Sequence, residues 1–344
     1  MSDAVRVALD VMGGDKAPGE TVLGAVQAAR EYNMGVYLVG KQEVIQAELA
    51  KHDVHGLDLP IIHTDEYIEM DEHPATAVRR KKNASMTLAL QLVKDGQALG
   101  AVSAGNSGAM MAASLFTLKR LPGVERPALG GVFPTKDKPC LVIDIGANTD
   151  CKPEYLQQFA LMGAIYMERV FKTAHPRVAL LANGEEESKG NQQVIETHQL
   201  LRRNAETLGI TFIGNVEGRD IPAGATDVVV CDGFVGNVVL KLSEGLADAL
   251  ITLLKEQMTS TLINKLAAAV LLPGLRKVFR RLDYAEYGGV PLFGVNGSAI
   301  IAHGRSNAKA IKNALRVARE TAETGVSTAI ADGLARLNST VETK

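Results

Sequence analysis

The sequence predicts an α/β enzyme built on a largely parallel sheet flanked by helices. Two observations carry that expectation. Short apolar, β-branched runs alternate with longer amphipathic stretches, the pattern of βαβ units whose strands are covered on both faces. The strand-like runs also end repeatedly in turns rich in Gly, Asn and Asp, the place where open α/β sheets carry their ligands.

In chain order, strands are expected at 5–11 (VRVALDV), 36–40 (VYLVG), 59–63 (LPIIH), 100–103, 129–133, 140–145 (CLVIDI), 177–181 (RVALL), 211–214 and 226–231 (TDVVVC). Between them, apolar residues at helical spacing predict helices at 19–32, 84–94, 108–119, 155–171, 192–207 and 237–255. A final amphipathic helix at 307–322 is expected to close the chain and cap the sheet. No repeat or Pro-rich linker marks a boundary, so residues 1–344 read as a single unit with a subdivision, if any, near 171–176.

Residues 257–282 contain no acid, while Lys265, Arg276, Lys277, Arg280 and Arg281 are basic. Leu262, Ile263, Leu266, Ala269 and Val270, then Leu275, Val278, Phe279 and Leu282, fall at helical spacing. Pro273-Gly274 is expected to divide this protruding amphipathic segment into two short helices.

The 344 residues allow a large core, and 46% hydrophobic with 22% charged residues is an ordinary globular balance. A net charge of −2 supplies no basic field for nucleic acid. The apolar run at the start is too short for a signal-peptide core, and none approaches the roughly 18–20 residues of a membrane span. Cys140, Cys151 and Cys231 show no CxxC spacing, which argues for a reducing, cytoplasmic setting.

The loops at 10–15, 103–108, 144–148, 183–187, 215–218 and 232–237 combine Gly with Asn or Asp. Glycine lets backbone N–H groups approach an anion, and the loops at 103–108 and 232–237 each open a helix that adds donors. Each loop alone reads better as a tight βα turn; together they point to one shared anion site, which Lys189, Lys241 or Arg79 can neutralise. No GxGxxG opens a helix, and Gly35–Lys41 lacks the Ser/Thr of a phosphate loop. His52 and His55 read as a solvated turn and Cys231 as a core residue. No nucleophile elbow or metal-ligand cluster is evident. Asp10, Asp15 and Asp144 suit capping and turns as well as a divalent ion. His303 reads equally as an acid/base and as a turn histidine.

DVMGGDKAP (Asp10–Pro18), AVRRKKNAS (Ala77–Ser85), SAGNSGA (Ser103–Ala109), DIGAN (Asp144–Asn148), CDGFVGN with Lys241, and YGGVPLFGVNG (Tyr287–Gly297) occur in this order. Together they closely resemble the bacterial acyl-ACP:phosphate acyltransferase family of phospholipid synthesis, from residue 5 to about residue 325. Ser107 stands where the family pattern leads one to expect Thr, which keeps the hydroxyl. The resemblance implies transfer of a long-chain acyl group from acyl carrier protein to inorganic phosphate, giving acyl-phosphate. It implies a homodimer with a fold similar to phosphotransacetylases and the isocitrate/isopropylmalate dehydrogenases. It also implies no cofactor, metal, nucleotide or covalent acyl-enzyme.

That chemistry agrees with the loops. Phosphate is already partly dianionic at neutral pH and needs positioning more than a strong base. Attack on the thioester builds an oxyanion that N–H groups stabilise, and the departing thiol has a pKa near ~8.5. Asn106 and Ser107, with Gly105 and Gly108, are assigned to phosphate or the oxyanion, joined by Gly13, Gly14 and Gly236. Lys189 and Lys241 are the candidate cations, positioned by Asp232 and Asn237, and His303 is the candidate proton donor to the thiol.

Met110, Met111 and Leu115 are candidates to flank the acyl chain, with plain helix core as the alternative. Leu266, Val270, Leu271, Leu272, Leu275 and Phe279 are candidates for contact with an anionic membrane, with dimer packing as the alternative. Such contact would place the water-shy product near a membrane glycerol-phosphate acyltransferase. The competing readings are a CoA-dependent short-chain phosphotransacylase, a decarboxylating dehydrogenase and a non-catalytic lipid-binding scaffold.

Overall fold

The computed structural model describes residues 6–341, with the side chains of 275–282, 284, 338, 340 and 341 outside that description. The chain opens with β1 (Arg6–Asp10), α1 (Gly19–Tyr32), β2 (Gly35–Gly40), α2 (Gln42–Leu49) and β3 (Ile61–His63). Two short helices, α3 (Pro74–Arg80) and α4 (Ser85–Lys94), lead to β4 (Gly100–Ser103) and α5 (Ser107–Thr117). There follow β5 (Ala128–Phe133), β6 (Cys140–Ile143), α6 (Pro153–Arg169), β7 (Arg177–Leu181), α7 (Gln192–Leu208), β8 (Thr211–Val216), α8 (Asp220–Ala223) and β9 (Val228–Val230). The long helices α9 (Gly233–Thr259) and α10 (Leu262–Leu282) form a hairpin. The chain ends with α11 (Tyr284–Tyr287), β10 (Val290–Phe293), β11 (Ser298–Ile301), α12 (Ala308–Glu323) and α13 (Val326–Val341).

All strands join one 11-stranded sheet in the order β3-β2-β1-β4-β11-β10-β5-β6-β9-β7-β8. It contains two parallel blocks, β3-β2-β1-β4-β11 and β6-β9-β7-β8. Between them lie β10 and β5, each antiparallel to both neighbours. The largely parallel expectation therefore holds within each block. Residues 171–176, the suggested subdivision, join α6 to β7 inside the second block.

Period-2 alternation decides what each face packs. In β1, Val7 and Leu9 face α1 and α12, while Ala8 faces the side covered by α4 and α5. In the second block, Leu141, Ile143, Val228 and Val230 pack with α6 and α13, while Val142 and Val229 face the base of α9. The helix at 307–322 packs on the sheet as expected but does not close the chain, because α13 follows and packs on α6 and α7. Its apolar face, including Ile330 and Leu334, completes the core of the second block.

Pro273 does not divide α10, which runs unbroken from Leu262 to Leu282. Proline removes one backbone bond, but the Ala/Leu-rich run before it favours helix, and Ala269, whose carbonyl loses its partner, is exposed to water. Only Gly233 and Gly236 of the 27-residue α9 are buried. The rest of that helix leaves Phe234, Val238, Leu242, Leu246, Leu250 and Leu253 exposed. Among the described residues no helix is long and apolar enough to cross a membrane.

Candidate functional site

The anion loops do not converge in one shell; they divide between the two blocks. In the first block, β1, β4 and β11 end side by side. Asp10, at the end of β1, is buried and accepts hydrogen bonds from Ser85 Oγ at 2.6 Å, Ser103 Oγ at 2.7 Å and Met12 N–H at 3.2 Å. Burial pushes its carboxyl above the usual range while the two serine hydroxyls pull it down. Ser103 Oγ in turn accepts the Gly105 N–H at 3.0 Å.

Asp10 thus ties the loops at 10–15 and 103–108 together, and they meet backbone to backbone. A Cβ on Gly13 would sit 2.7 Å from Gly105 N and 2.6 Å from Asp10 Oδ2, so only glycine fits there. Asp15 N–H donates to the Gly304 carbonyl at 2.8 Å, which brings in the turn after β11. His303 is exposed in this turn, its Nδ1 accepting the Arg305 N–H at 3.1 Å. The structure therefore brings together Gly13, Gly14, Gly105, Asn106 and His303.

Asn106 caps α5. Its Oδ1 accepts the Ala109 N–H at 3.0 Å, and its Nδ2 donates to the Met70 and Glu72 carbonyls at 2.9 and 3.1 Å. These bonds commit its side chain to the cap and to the 66–73 segment. The first turn, Ser107 and Gly108, keeps N–H groups without intrahelical partners.

The second cluster is organised by Asp144. This fully buried carboxylate accepts from the N–H groups of Leu129, Gly146, Ala147 and Asn148 at 2.8–3.1 Å and from Asn148 Nδ2 at 2.8 Å. Burial pushes its pKa up against these donors. Asn148 accepts the Gly233 N–H at 2.6 Å, and Asp232 caps α9 through the Val235 N–H at 2.9 Å. Gly236 packs directly on the Asp144 carbonyl, with no room for a Cβ. Asn237 is exposed next to Gly146. Cys231 is buried against Asp144, and burial raises its thiol well above the usual value, which fits a core residue.

The two candidate cations differ. Lys189 is exposed in the loop between β7 and α7, and among the described residues no carboxylate lies within ion-pair distance of it. Lys241, about half exposed on α9, already pairs with Glu244 at 2.9 Å. Arg79 lies over the Phe116 ring at 5.7 Å.

Met110 is fully buried in the core between α4, α5 and the sheet, so it flanks no open groove. Its place on α5 is turned inward by the helical period. Met111 is half-buried against the same core, and Leu115, also half-buried, borders a cavity of about 380 Å³ between α5 and α6. On α10, Leu266, Val270 and Leu271 are 65%, 80% and 61% exposed. Leu272 lines an apolar cavity with Met258 and Ala268, while the side chains of Leu275 and Phe279 lie outside the described residues.

The sequence assigned no individual role to Ser85, Asn148, Arg120 or Arg126. Ser85 is named only within a motif, and its tie to Asp10 spans 75 residues. No local signal reports such a contact. Among the described residues no group of three or more His, Cys, Asp or Glu is placed to hold a metal ion.

The model of a family described as fatty acid synthesis protein matches residues 5–329. A protein named phosphate acyltransferase in Pelotomaculum thermopropionicum is 52% identical over 319 residues, which is 93% of this chain and 92% of that one. One of the same name in Geobacter sulfurreducens is 51% identical over 95% of this chain and 94% of its own. Among solved structures, a phosphotransacetylase from Streptococcus pyogenes superposes with a TM-score of 0.64 at 17% identity, covering 94% of this chain and 95% of that one. The 4-hydroxythreonine-4-phosphate dehydrogenase of Klebsiella pneumoniae superposes with a TM-score of 0.55 at 14% identity over 93% and 99%. These two likenesses concern the fold, and they match the phosphotransacetylase and dehydrogenase-type architecture the sequence suggested.

Proposed function

The chain belongs to the fatty acid synthesis protein family, and from that premise we propose that it transfers a long-chain acyl group from acyl carrier protein to inorganic phosphate. The observation that carries this reading is the pair of glycine loops that Asp10 clamps together through Ser103 and Ser85 beside the start of α5. They offer backbone donors at a helix N-terminus, with the Ser103 hydroxyl committed to Asp10.

A phosphate oxygen attacks the thioester carbonyl, forming the C–O bond, and collapse of the oxyanion breaks the C–S bond. The electron pair leaves with the thiolate, which takes a proton from His303 or from water. The N–H groups of Ser107 and Gly108, with the backbone at Gly14, hold the phosphate or the developing oxyanion, while the Gly105 N–H is taken by Ser103 and that of Gly13 by Asp10, which fixes the two loops around them. Asn106 fixes the helix start that presents them. Lys189 and Lys241, both carried by the second block, are the candidate countercharges, and Asp232, Gly236 and Asn237 set the start of the helix that carries Lys241.

The exposed apolar stripe of α9 suits a second copy of the chain, and Leu266, Val270, Leu271 and Leu272 on α10 suit the surface of an anionic membrane. The enzyme then acts in the cytoplasm as a homodimer in peripheral membrane contact, delivering acyl-phosphate to a membrane glycerol-phosphate acyltransferase. The test is phosphate-dependent release of carrier thiol from palmitoyl-acyl carrier protein, with the product trapped by hydroxylamine. Thiol release that is independent of phosphate, or turnover confined to acetyl-CoA, would overturn the reading.

A further inference from the structure

The cavity of about 380 Å³ between α5 and α6 is bordered by Leu115, Arg120, Glu125, Arg126, Pro127 and Tyr155, and its volume falls in the range of small-ligand sites. Two guanidinium groups face it. Among the described residues neither Arg120 nor Arg126 has a carboxylate within ion-pair distance, although Glu125 borders the same cavity. Arg126 lies over the Tyr155 ring, 5.7 Å from its centroid, which orients the planar fork.

The loop that carries these arginines is held on every side. Leu121 and Val124 are buried, and Leu121 N–H donates to the Gly294 carbonyl at 3.0 Å. Gln158, itself buried, accepts the Glu125 N–H and donates to the Gly123 carbonyl, both at 2.9 Å. Arg120 also donates to the Glu125 carbonyl. Such anchoring is preorganisation: little side-chain and loop freedom remains to be lost when an anion arrives.

The cavity also sits between the two clusters. Leu115 lies on α5, eight residues and about 12 Å along the axis from Ser107. Next to Arg126, the Pro127 carbonyl accepts from Asn148 Nδ2 at 2.7 Å, and the same group donates to Asp144.

We propose that this cavity takes the phosphodiester at the base of the pantetheine arm of the acyl donor, held by Arg120 and Arg126 with the arm running along α5. From ordinary bond lengths an extended arm spans about 16 Å from phosphorus to sulfur, longer than the about 12 Å of helix axis between Leu115, at the border of the cavity, and Ser107. A doubly hydrogen-bonded guanidinium–phosphate contact suits the fork of arginine. The inference rests on the acyl-transfer reading and adds the place where the donor is gripped.

The experiment compares palmitoyl-4′-phosphopantetheine with palmitoyl-pantetheine, which lacks the phosphate, and palmitoyl-acyl carrier protein with palmitoyl-CoA. R126A and R126K are assayed beside wild type, with thermal unfolding checked for each. Wild type is expected to prefer the phosphorylated arm, and R126A to lose about tenfold or more in kcat/KM on that donor and on the carrier protein. Palmitoyl-pantetheine turnover and the KM for phosphate stay unchanged. R126K recovers only part, having charge without the fork. Equal losses on both arms, a raised KM for inorganic phosphate, or a loss confined to palmitoyl-CoA each overturn the proposal. Calorimetric binding of palmitoyl-4′-phosphopantetheine separates it from the parent reading. If no acyl-phosphate forms, the transfer reading falls, while weakened binding by R126A still supports this site and undiminished binding overturns it.

Discussion

Asp10 Oδ2 accepts the hydroxyl proton of Ser103, 93 residues away, at 2.7 Å, and the same Ser103 oxygen accepts the Gly105 N–H at 3.0 Å. One buried carboxylate thereby sets the approach of two glycine loops that no local sequence feature connects.

D10N is expected to lower kcat/KM for phosphate by about 10–100-fold, because shifting a preformed donor set by a fraction of an ångström is costly. Its pH behaviour has a definite sign. Burial raises the Asp10 carboxyl in the fold, so its stabilising contribution is complete below the unfolded value of about 3.9 and is lost as pH rises through the raised value. Asn does not titrate. Melting curves should show the advantage of wild type over D10N shrinking from pH 4 to pH 7; an advantage that grows with pH would refute the assignment.

Lys189 and Lys241 should separate in phosphate titrations. Lys241 pairs with Glu244, whereas no described carboxylate pairs with Lys189. K189A is expected to raise the KM for phosphate by about tenfold or more, and K241A by clearly less. Equal effects, or an unchanged phosphate dependence in K189A, would remove the ranking.

The hairpin presents two apolar surfaces with two expected readouts. Glu at Leu242 and Leu246 should reduce the solution mass toward that of one chain. Glu at Leu271 and Leu272 should abolish sedimentation with anionic vesicles while activity on soluble donor persists. A dimer that resists the first pair, or vesicle binding that survives the second, sinks the corresponding surface.

A fourth expectation concerns stability alone. Asp227 accepts from the Arg177 N–H at 2.8 Å and from its guanidinium at 3.1 Å. Burial pushes the Asp227 carboxyl up, but the hydrogen bonds and charge of Arg177 outweigh it, and the net shift is downward. Stability from this pair is present above about pH 3.9 and is lost as pH falls through the depressed value. D227N should cost about 1–3 kcal/mol at pH 7, and less in acid, in urea titrations read by circular dichroism.

Much of the frame was legible because helical and strand periods are local. Helix α1 and strands β4 and β7 fall where the pattern placed them. The short polar-rimmed strand β10, interrupted by Pro291, gave no comparable signal, and with it went the reversal that splits the loops into two clusters. Motif residues such as Asn106 and Gly105 could be named from sequence. That Asn106 spends its side chain on Met70 and Glu72, or that Met110 turns into the core, depends on which elements pack together. Arg120 and Arg126 were passed over because isolated arginines in a loop look solvated until their neighbours are known.

The first block is assembled from both ends of the chain, since β4 pairs with β1 on one side and with β11 on the other. During synthesis the edge of β4 stays open until Ser298–Ile301 leaves the ribosome, and the apolar faces meant for α12 stay uncovered slightly longer. An edge of this kind invites pairing with other nascent chains. A polypeptide stopped before residue 298 should therefore collect in aggregates and depend on chaperones, even though it already carries the glycine loops, Asp10 and both lysines.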